Sequence, residues 1–150
     1  MKKILITGAA GLVGSTLIKK IIKDNNLIIA IDDLSCGKLT FIQPFLKFNH
    51  FKFFKRDIST YKLGILLEKN IKDIKFNEIW LLAANSDIQK GIKNPKIDFK
   101  NTYLTTFNFL NNIEKNLAKN AKIIFTSSSA AVSYTHLRSH ETDSYLVCRL

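Results

Sequence analysis

Short apolar runs alternate along this chain with stretches in which apolar positions recur every three or four residues. The first pattern belongs to buried strands and the second to helices packed by one face. Ile4-Leu5-Ile6 is the first run. Leu12, Val13, Leu17, Ile18, Ile21 and Ile22 then recur at helical spacing, with Lys19, Lys20 and Lys23 on the opposite side and in the last turn, where cations suit the helix dipole. Asp24-Asn25-Asn26 breaks this helix, and Leu27-Ile28-Ile29-Ala30-Ile31 is a continuous apolar run of the kind that a strand covered on both faces requires. A third strand is predicted over 51–56, a short helix over 63–69 and a fourth strand over 76–82. The clearest later helix is predicted over 98–118, with Tyr103, Phe107, Leu110, Ile113 and Leu117 on its core-facing side. Lys122-Ile123-Ile124-Phe125 makes a fifth strand that delivers Thr126-Ser127-Ser128-Ser129 at its end. Strands alternating with helices predict an α/β fold, a doubly wound parallel sheet with right-handed crossovers and strand order 3-2-1-4-5.

Candidate chemistry enters between the first strand and the first helix. Thr7-Gly8-Ala9-Ala10-Gly11-Leu12-Val13-Gly14 puts a glycine at every third position of a strand-to-helix turn. Gly8 suits a tight turn, Gly11 lets backbone N–H groups approach a pyrophosphate, and Gly14 lets the helix pack close to the strand. The expectation is a Rossmann-type dinucleotide site. Asp32 stands at the C-terminal end of the second strand, about 20 residues beyond the turn. A carboxylate there accepts hydrogen bonds from the adenosine ribose hydroxyls and repels a 2′-phosphate, which favours NAD over NADP. Read locally, Asp32 or Asp33 is also what a turn cap looks like, Asp57 a solvated strand-end acid, Asn101 an ordinary helix asparagine, and Ser127 to Ser129 turn residues.

Composition changes this picture little. With 46% hydrophobic and 23% charged residues in 150, the chain has the balance of one globular domain with a real core. The formal charge of +11 raises the question of nucleic acid, but the lysines are scattered and form neither an arginine cluster nor a basic-aromatic motif, so no nucleic-acid partner is expected. No apolar run reaches the roughly 18 residues of a spanning helix, and the glycines interrupt the N-terminal stretch that imitates a signal peptide. No membrane role and a cytoplasmic location are the expectations. Cys36 and Cys148 make neither a disulfide framework nor a zinc site, and His136 and His140, although one helical turn apart, lack a third ligand, so no metal is expected.

The coding style changes near the C-terminus. Residues 1–131 carry all 20 lysines and one arginine, Arg56, whereas 132–150 carry two arginines and no lysine, isoleucine or asparagine. Val132 to Thr142 closely resembles the in-frame translation of a transposon-end adapter used in building sequencing libraries. The expected organisation is therefore an incomplete nucleotide-binding domain over 1–131, truncated after the fifth strand, and a non-native tail over 132–150. Strand five then lies at an open edge, which predicts exposed apolar surface and self-association.

In order and spacing, these motifs resemble the NAD-dependent epimerase/dehydratase family of extended short-chain dehydrogenases, and within it the UDP-glucose 4-epimerase branch. Gly8, Gly11, Leu12, Val13 and Gly14 match its phosphate turn. Asp32-Asp33-Leu34-Ser35-Cys36-Gly37-Lys38 resembles its ribose loop, Asp-Asn-Leu-Ser-x-Gly-Lys, and Asp57-Ile58 its adenine-contacting pair. Leu82-Ala83-Ala84 resembles the segment beside the nicotinamide ribose, and Asn101 the helix asparagine that supports cofactor and active site. By the same resemblance Ser128 lies beside the reacting sugar carbon and orients a substrate oxygen with its hydroxyl. The family's proton-abstracting tyrosine, with a lysine one helical turn later, has no counterpart; Tyr145 and Arg149 imitate the spacing but follow Ser128 too closely and fall in the adapter-like tail. Asn85-Ser86-Asp87 does not reproduce the residues that some 4-epimerases carry after the fourth strand. The resemblance implies the N-terminal NAD-binding part of a nucleotide-sugar epimerase or dehydratase that transiently oxidises a sugar hydroxyl. The full-length parent would be a homodimer acting on a nucleotide sugar, and the fragment would be inactive. A non-catalytic dinucleotide-binding regulator is the alternative.

Overall fold

The structure, a computed structural model, describes residues 1–60 and 71–127. The helix expected over 63–69 lies outside the described residues, as do Ser128, Ser129 and the whole 132–150 segment.

β1 (Lys3–Thr7), β2 (Leu27–Asp32), β3 (Phe51–Lys55), β4 (Phe76–Leu81) and β5 (Leu117–Phe125) form one sheet in the order β3-β2-β1-β4-β5, every pairing parallel. This is the predicted topology. Side chains alternate across a strand, so the central strands supply two cores at once. Leu5, Ile29, Ile31, Ile79 and Leu81 join Phe109 and Ile113 of α5 (Thr105–Ile113) on one face. Ile4, Ile6, Ile28 and Ala30 join Ile18 of α1 (Leu12–Ile21) and Ile42 of α2 (Leu39–Ile42) on the other. Burial on both faces is why β1 and β2 read as apolar runs. Parallel pairing also brings the C-terminal ends of all five strands to one edge, where the connecting turns meet.

Three expectations are corrected. Leu12 and Val13, placed in the buried face of the first helix, are 76% and 62% exposed, because the first turn of α1 faces the open cleft; Ile18 and Ile22 are buried as expected, and Ser15 joins them. The continuous helix over 98–118 is broken: α3 (Ile88–Lys93) and α4 (Pro95–Asp98) lead into a π-helical segment, Phe99–Leu104, then α5 and a 3-10 turn, Glu114–Asn116. Its apolar stripe is only partly the expected one. Ile113 is buried and Leu117 packs against the core as expected, and Thr105 and Phe109 join them, whereas Tyr103, Phe107 and Leu110 are about half exposed. Phe107 and Phe109 lie two positions apart, roughly 200° around the helix, so periodicity alone does not choose which of them is buried. Phe99, Tyr103 and Phe107 stack on one another outside, with ring centroids 5.3 and 6.0 Å apart.

The third correction is at β5, which begins at Leu117 opposite Phe76 rather than at Lys122, as part of a bulged pairing in which Glu78 meets Lys122. Asn120, at φ 64°, sits in that bulge. Buried Asn116 ends the preceding turn by donating from Nδ2 to the carbonyls of Ile71 and Ile74, both at 3.0 Å. Asn116→Ala leaves those acceptors unpaired and is expected to lower stability by about 2 kcal/mol, read from the denaturant midpoint at unchanged slope.

Candidate functional site

The C-terminal edge of the sheet is organised around the end of β1. Thr7 is fully buried, and its Oγ1 accepts from the backbone N–H groups of Leu82 (3.1 Å) and Ala83 (3.3 Å), latching the exit of β4 to that of β1. The chain then turns at Gly8, which has φ +64° and so close an approach to β4 that a Cβ would stand 2.8 Å from the carbonyl carbon of Leu82. Gly14 meets this turn from α1: a Cβ there would run into the carbonyl oxygen of Gly8. A Gly11 Cβ would lie 3.3 Å from that same oxygen. The three glycines therefore hold bare backbone around the start of α1, whose first N–H groups lack intrahelical partners. A helix N-terminus in that state is suited to an anion.

Asp32, at the end of β2, is only 8% exposed. Its Oδ2 accepts from the N–H of Ala10 at 2.9 Å, and its Oδ1 from the N–H of Leu34 at 2.8 Å. Burial pushes its pKa above the ordinary 3.8, while the two backbone hydrogen bonds oppose that shift. Asp32 is thus both the brace between the glycine turn and the next loop and a carboxylate with remaining lone pairs for a ligand. Asp33 Oδ1 accepts from both the N–H (2.8 Å) and the hydroxyl (2.6 Å) of Ser35. Lys38 N–H donates to the carbonyl of Ala10, folding the loop back over the turn, and Gly37 packs so tightly that a Cβ would stand 2.9 Å from Asp32 Oδ1. Past β3, Asp57 Oδ1 caps its own turn by accepting from Ser59, and Lys100 Nζ lies 3.9 Å from its other oxygen.

These pieces enclose a cleft of about 340 Å³. Gly8, Gly11, Leu12, Val13 and Gly14 line it at the helix start. Asp32, Asp33, Ser35 and Gly37 line it beside β2, and Asp57 with Ile58 beside β3. Leu82, Ala83, Ala84 and Asn101 complete the opposite side. Leu34 is the exception: it does not line the cleft but packs, at φ 63°, against the core beneath α1, and its contribution is the N–H given to Asp32. Sequence reasoning missed Cys36, Arg56, Asn85, Ser86 and Thr105, all of which line the cleft. Asn85 is the best held of these. Its N–H donates to Thr102 Oγ1 (3.2 Å), and its amide donates to Asp98 Oδ1 (2.7 Å) and the Asp87 carbonyl (3.0 Å), so the segment after β4 is tied to the π-helical turn that carries Asn101. Such ties are long-range and leave no signal in a one-dimensional pattern. Among the described residues no three His, Cys, Asp or Glu side chains gather to hold a metal, no helix is long and apolar enough to cross a membrane, and Cys36 is a free thiol.

A cleft lined by a glycine-bounded helix start and by the carboxylates of Asp32, Asp33 and Asp57 offers backbone donors to an anionic group and acceptors to hydroxyl or amino groups. Comparison with known proteins identifies the family. Residues 5–137 match the family described as GDP-mannose 4,6 dehydratase. The UDP-glucose 4-epimerase of Mycolicibacterium smegmatis is 30% identical over 132 residues, which cover 85% of this chain and 39% of that protein. The UDP-glucose 4-epimerase of Lactobacillus helveticus is 27% identical, over 86% of this chain and 36% of that protein. Among solved structures, the UDP-Glc/GlcNAc 4-epimerase of Campylobacter jejuni superposes with a TM-score of 0.77 at 29% identity, over 89% of this chain and 39% of that one. The chain thus spans well under half the length of the curated relatives it matches. The chain belongs to the GDP-mannose 4,6 dehydratase family, within the NAD-dependent epimerases and dehydratases that its motifs resemble.

Proposed function

We propose that this chain is the NAD-binding N-terminal part of a longer nucleotide-sugar epimerase or dehydratase, with 1–131 as the nucleotide-binding unit and 132–150 foreign to it. The observation that supports the reading is the cleft, lined by Asp32, Asp57 and the three glycines of the turn. NAD, when bound, supplies an acceptor that takes a hydride from a sugar carbon and returns it. The chain's own residues do the rest. N–H groups at the start of α1 hold the pyrophosphate, Asp32 fixes the adenosine ribose and excludes a 2′-phosphate, and Asp57 takes the adenine amino group. Leu82, Ala83 and Ala84 shape the nicotinamide end, Asn101 supports it, and Ser128 orients the reacting sugar oxygen.

Removing the sugar hydroxyl's proton requires a base that none of these residues supplies, and a tyrosine with pKa about 10 serves near neutral pH only beside a lysine. On this reading residues 1–150 alone bind cofactor and turn nothing over. The exposed stack of Phe99, Tyr103 and Phe107 supports pairing of the full-length parent with a second copy. The test is to sequence the source gene past codon 131 and assay its full product on UDP-sugars. A Tyr-x-x-x-Lys roughly 25 residues after Ser128, with interconversion of the sugars, is the expected result. A frame that runs through Val132 to Leu150 and stops, or a full product inert on nucleotide sugars, makes the non-catalytic dinucleotide-binding regulator the better account.

A further inference from the structure

We infer that Arg56 is a stacking platform for the adenine ring, a role that rests on the nucleotide reading of the cleft. Three observations carry it. Arg56 is the first residue after β3 and lines the cleft, where it is the one cationic side chain among the described lining residues. Its backbone is fixed at the ribose end, because its N–H donates to the carbonyl of Asp32 at 3.0 Å, and its Nη1 is tied to the carbonyl of Lys55 at 2.8 Å. Finally, it is the single arginine among 20 lysines in residues 1–131, so a chain that otherwise uses lysine for every cation has a guanidinium here.

A lysine would supply the same charge. What arginine adds is a planar, weakly hydrated group that lies flat on an aromatic ring. Asp57, the next residue, lies at the same rim and offers its carboxylate to the edge of a purine, so edge and face are served by neighbouring side chains. Anchoring of a 2′-phosphate is the other use of an arginine at this place, and the surroundings oppose it: Asp32, Asp33 and Asp57 line the same end and outnumber the guanidinium.

Stacking is indifferent to which purine is bound, whereas edge reading is not, and this separates the two residues by experiment. Calorimetry on the chain, with NAD and with its hypoxanthine analogue, compares wild type, Arg56→Ala, Arg56→Lys and Asp57→Asn. Arg56→Ala is expected to raise Kd about tenfold for both dinucleotides, leaving their ratio unchanged. Arg56→Lys should recover little of that loss, and Asp57→Asn should weaken NAD more than the analogue. Arg56 is exposed, so melting curves are expected to coincide with wild type. The inference is overturned by an Arg56→Ala Kd within twofold of wild type, by full recovery in Arg56→Lys, which would make charge sufficient, or, in a parallel titration with NADP, by a loss confined to NADP. A wild-type chain that binds neither dinucleotide overturns the nucleotide reading as well, a result distinct from all of these.

Discussion

Gly8→Ala is expected to destabilise the fold by about 3 kcal/mol and to abolish nucleotide binding. Two costs fall on one methyl group. The residue sits at φ +64°, where an L side chain costs roughly 1–2 kcal/mol. The added Cβ also meets the Leu82–Ala83 peptide group face on, 2.8 Å from the Leu82 carbonyl carbon and 2.9 Å from both the Ala83 nitrogen and the Leu82 oxygen. Backbone cannot rotate away as a flexible side chain would, so β1 and β4 must separate at the point where Thr7 latches them. Overpacking of this kind costs about 1–3 kcal/mol. Denaturant unfolding of the variant reads the stability loss, and calorimetry with NAD reads the binding loss. A variant of wild-type stability would show that the turn does not hold β1 against β4 in this way.

Asp32→Ala carries the second large effect, on binding more than on folding. It removes the acceptors of a buried N–H group, that of Ala10, and a half-buried one, that of Leu34, but also removes a carboxylate that burial disfavours. The balance is a stability loss of about 2 kcal/mol. Loss of two hydrogen bonds between a charged carboxylate and ribose hydroxyls, about 1.5 kcal/mol each at the low end, corresponds to a Kd about 100-fold higher for NAD.

The pH dependence of Asp32 has a definite sign. Its folded pKa lies above 3.8, so between those two values the folded chain holds a proton that the unfolded chain has released, and the contribution of this group to stability falls as pH rises through that window. Binding runs the other way. The ionised carboxylate is the acceptor, so NAD affinity should fall with acidification as soon as pH enters the range of the raised pKa, above where an ordinary aspartate protonates. Asp32→Asn should bind weakly and lose this dependence. A wild-type affinity that stays flat until pH falls below 3.8 would contradict the account.

The parallel sheet was legible because β1, β2 and the second half of β4, Ile79 to Leu81, are covered on both faces and read as apolar runs. That the turn, Asp32 and Asp57 gather at one cleft was legible, the first two from their spacing at strand ends and Asp57 from the family resemblance. Pattern failed where three-dimensional choice enters. Two apolar stripes compete on the 99–113 segment, and packing of Phe109 and Ile113 against the sheet decides between them, leaving Tyr103 and Phe107 outside. The start of β5 depends on Asn116 reaching three carbonyls more than 40 residues earlier, a contact that no window of sequence contains. Leu34 matched a loop motif by spacing, yet its positive φ turns the side chain into the core and leaves only its N–H for the site. Arg56 and Asn85 belong to no motif that was read; the cleft alone brings them beside the others.

The measurement that bears most directly on the central claim is a pair of calorimetric titrations of the chain, one with NAD and one with NADP. Saturable NAD binding at a single site, with NADP at least about tenfold weaker because Asp32 and Asp33 stand where a 2′-phosphate would go, is the predicted result. Absence of saturable NAD binding, or NADP bound as tightly as NAD, would contradict it.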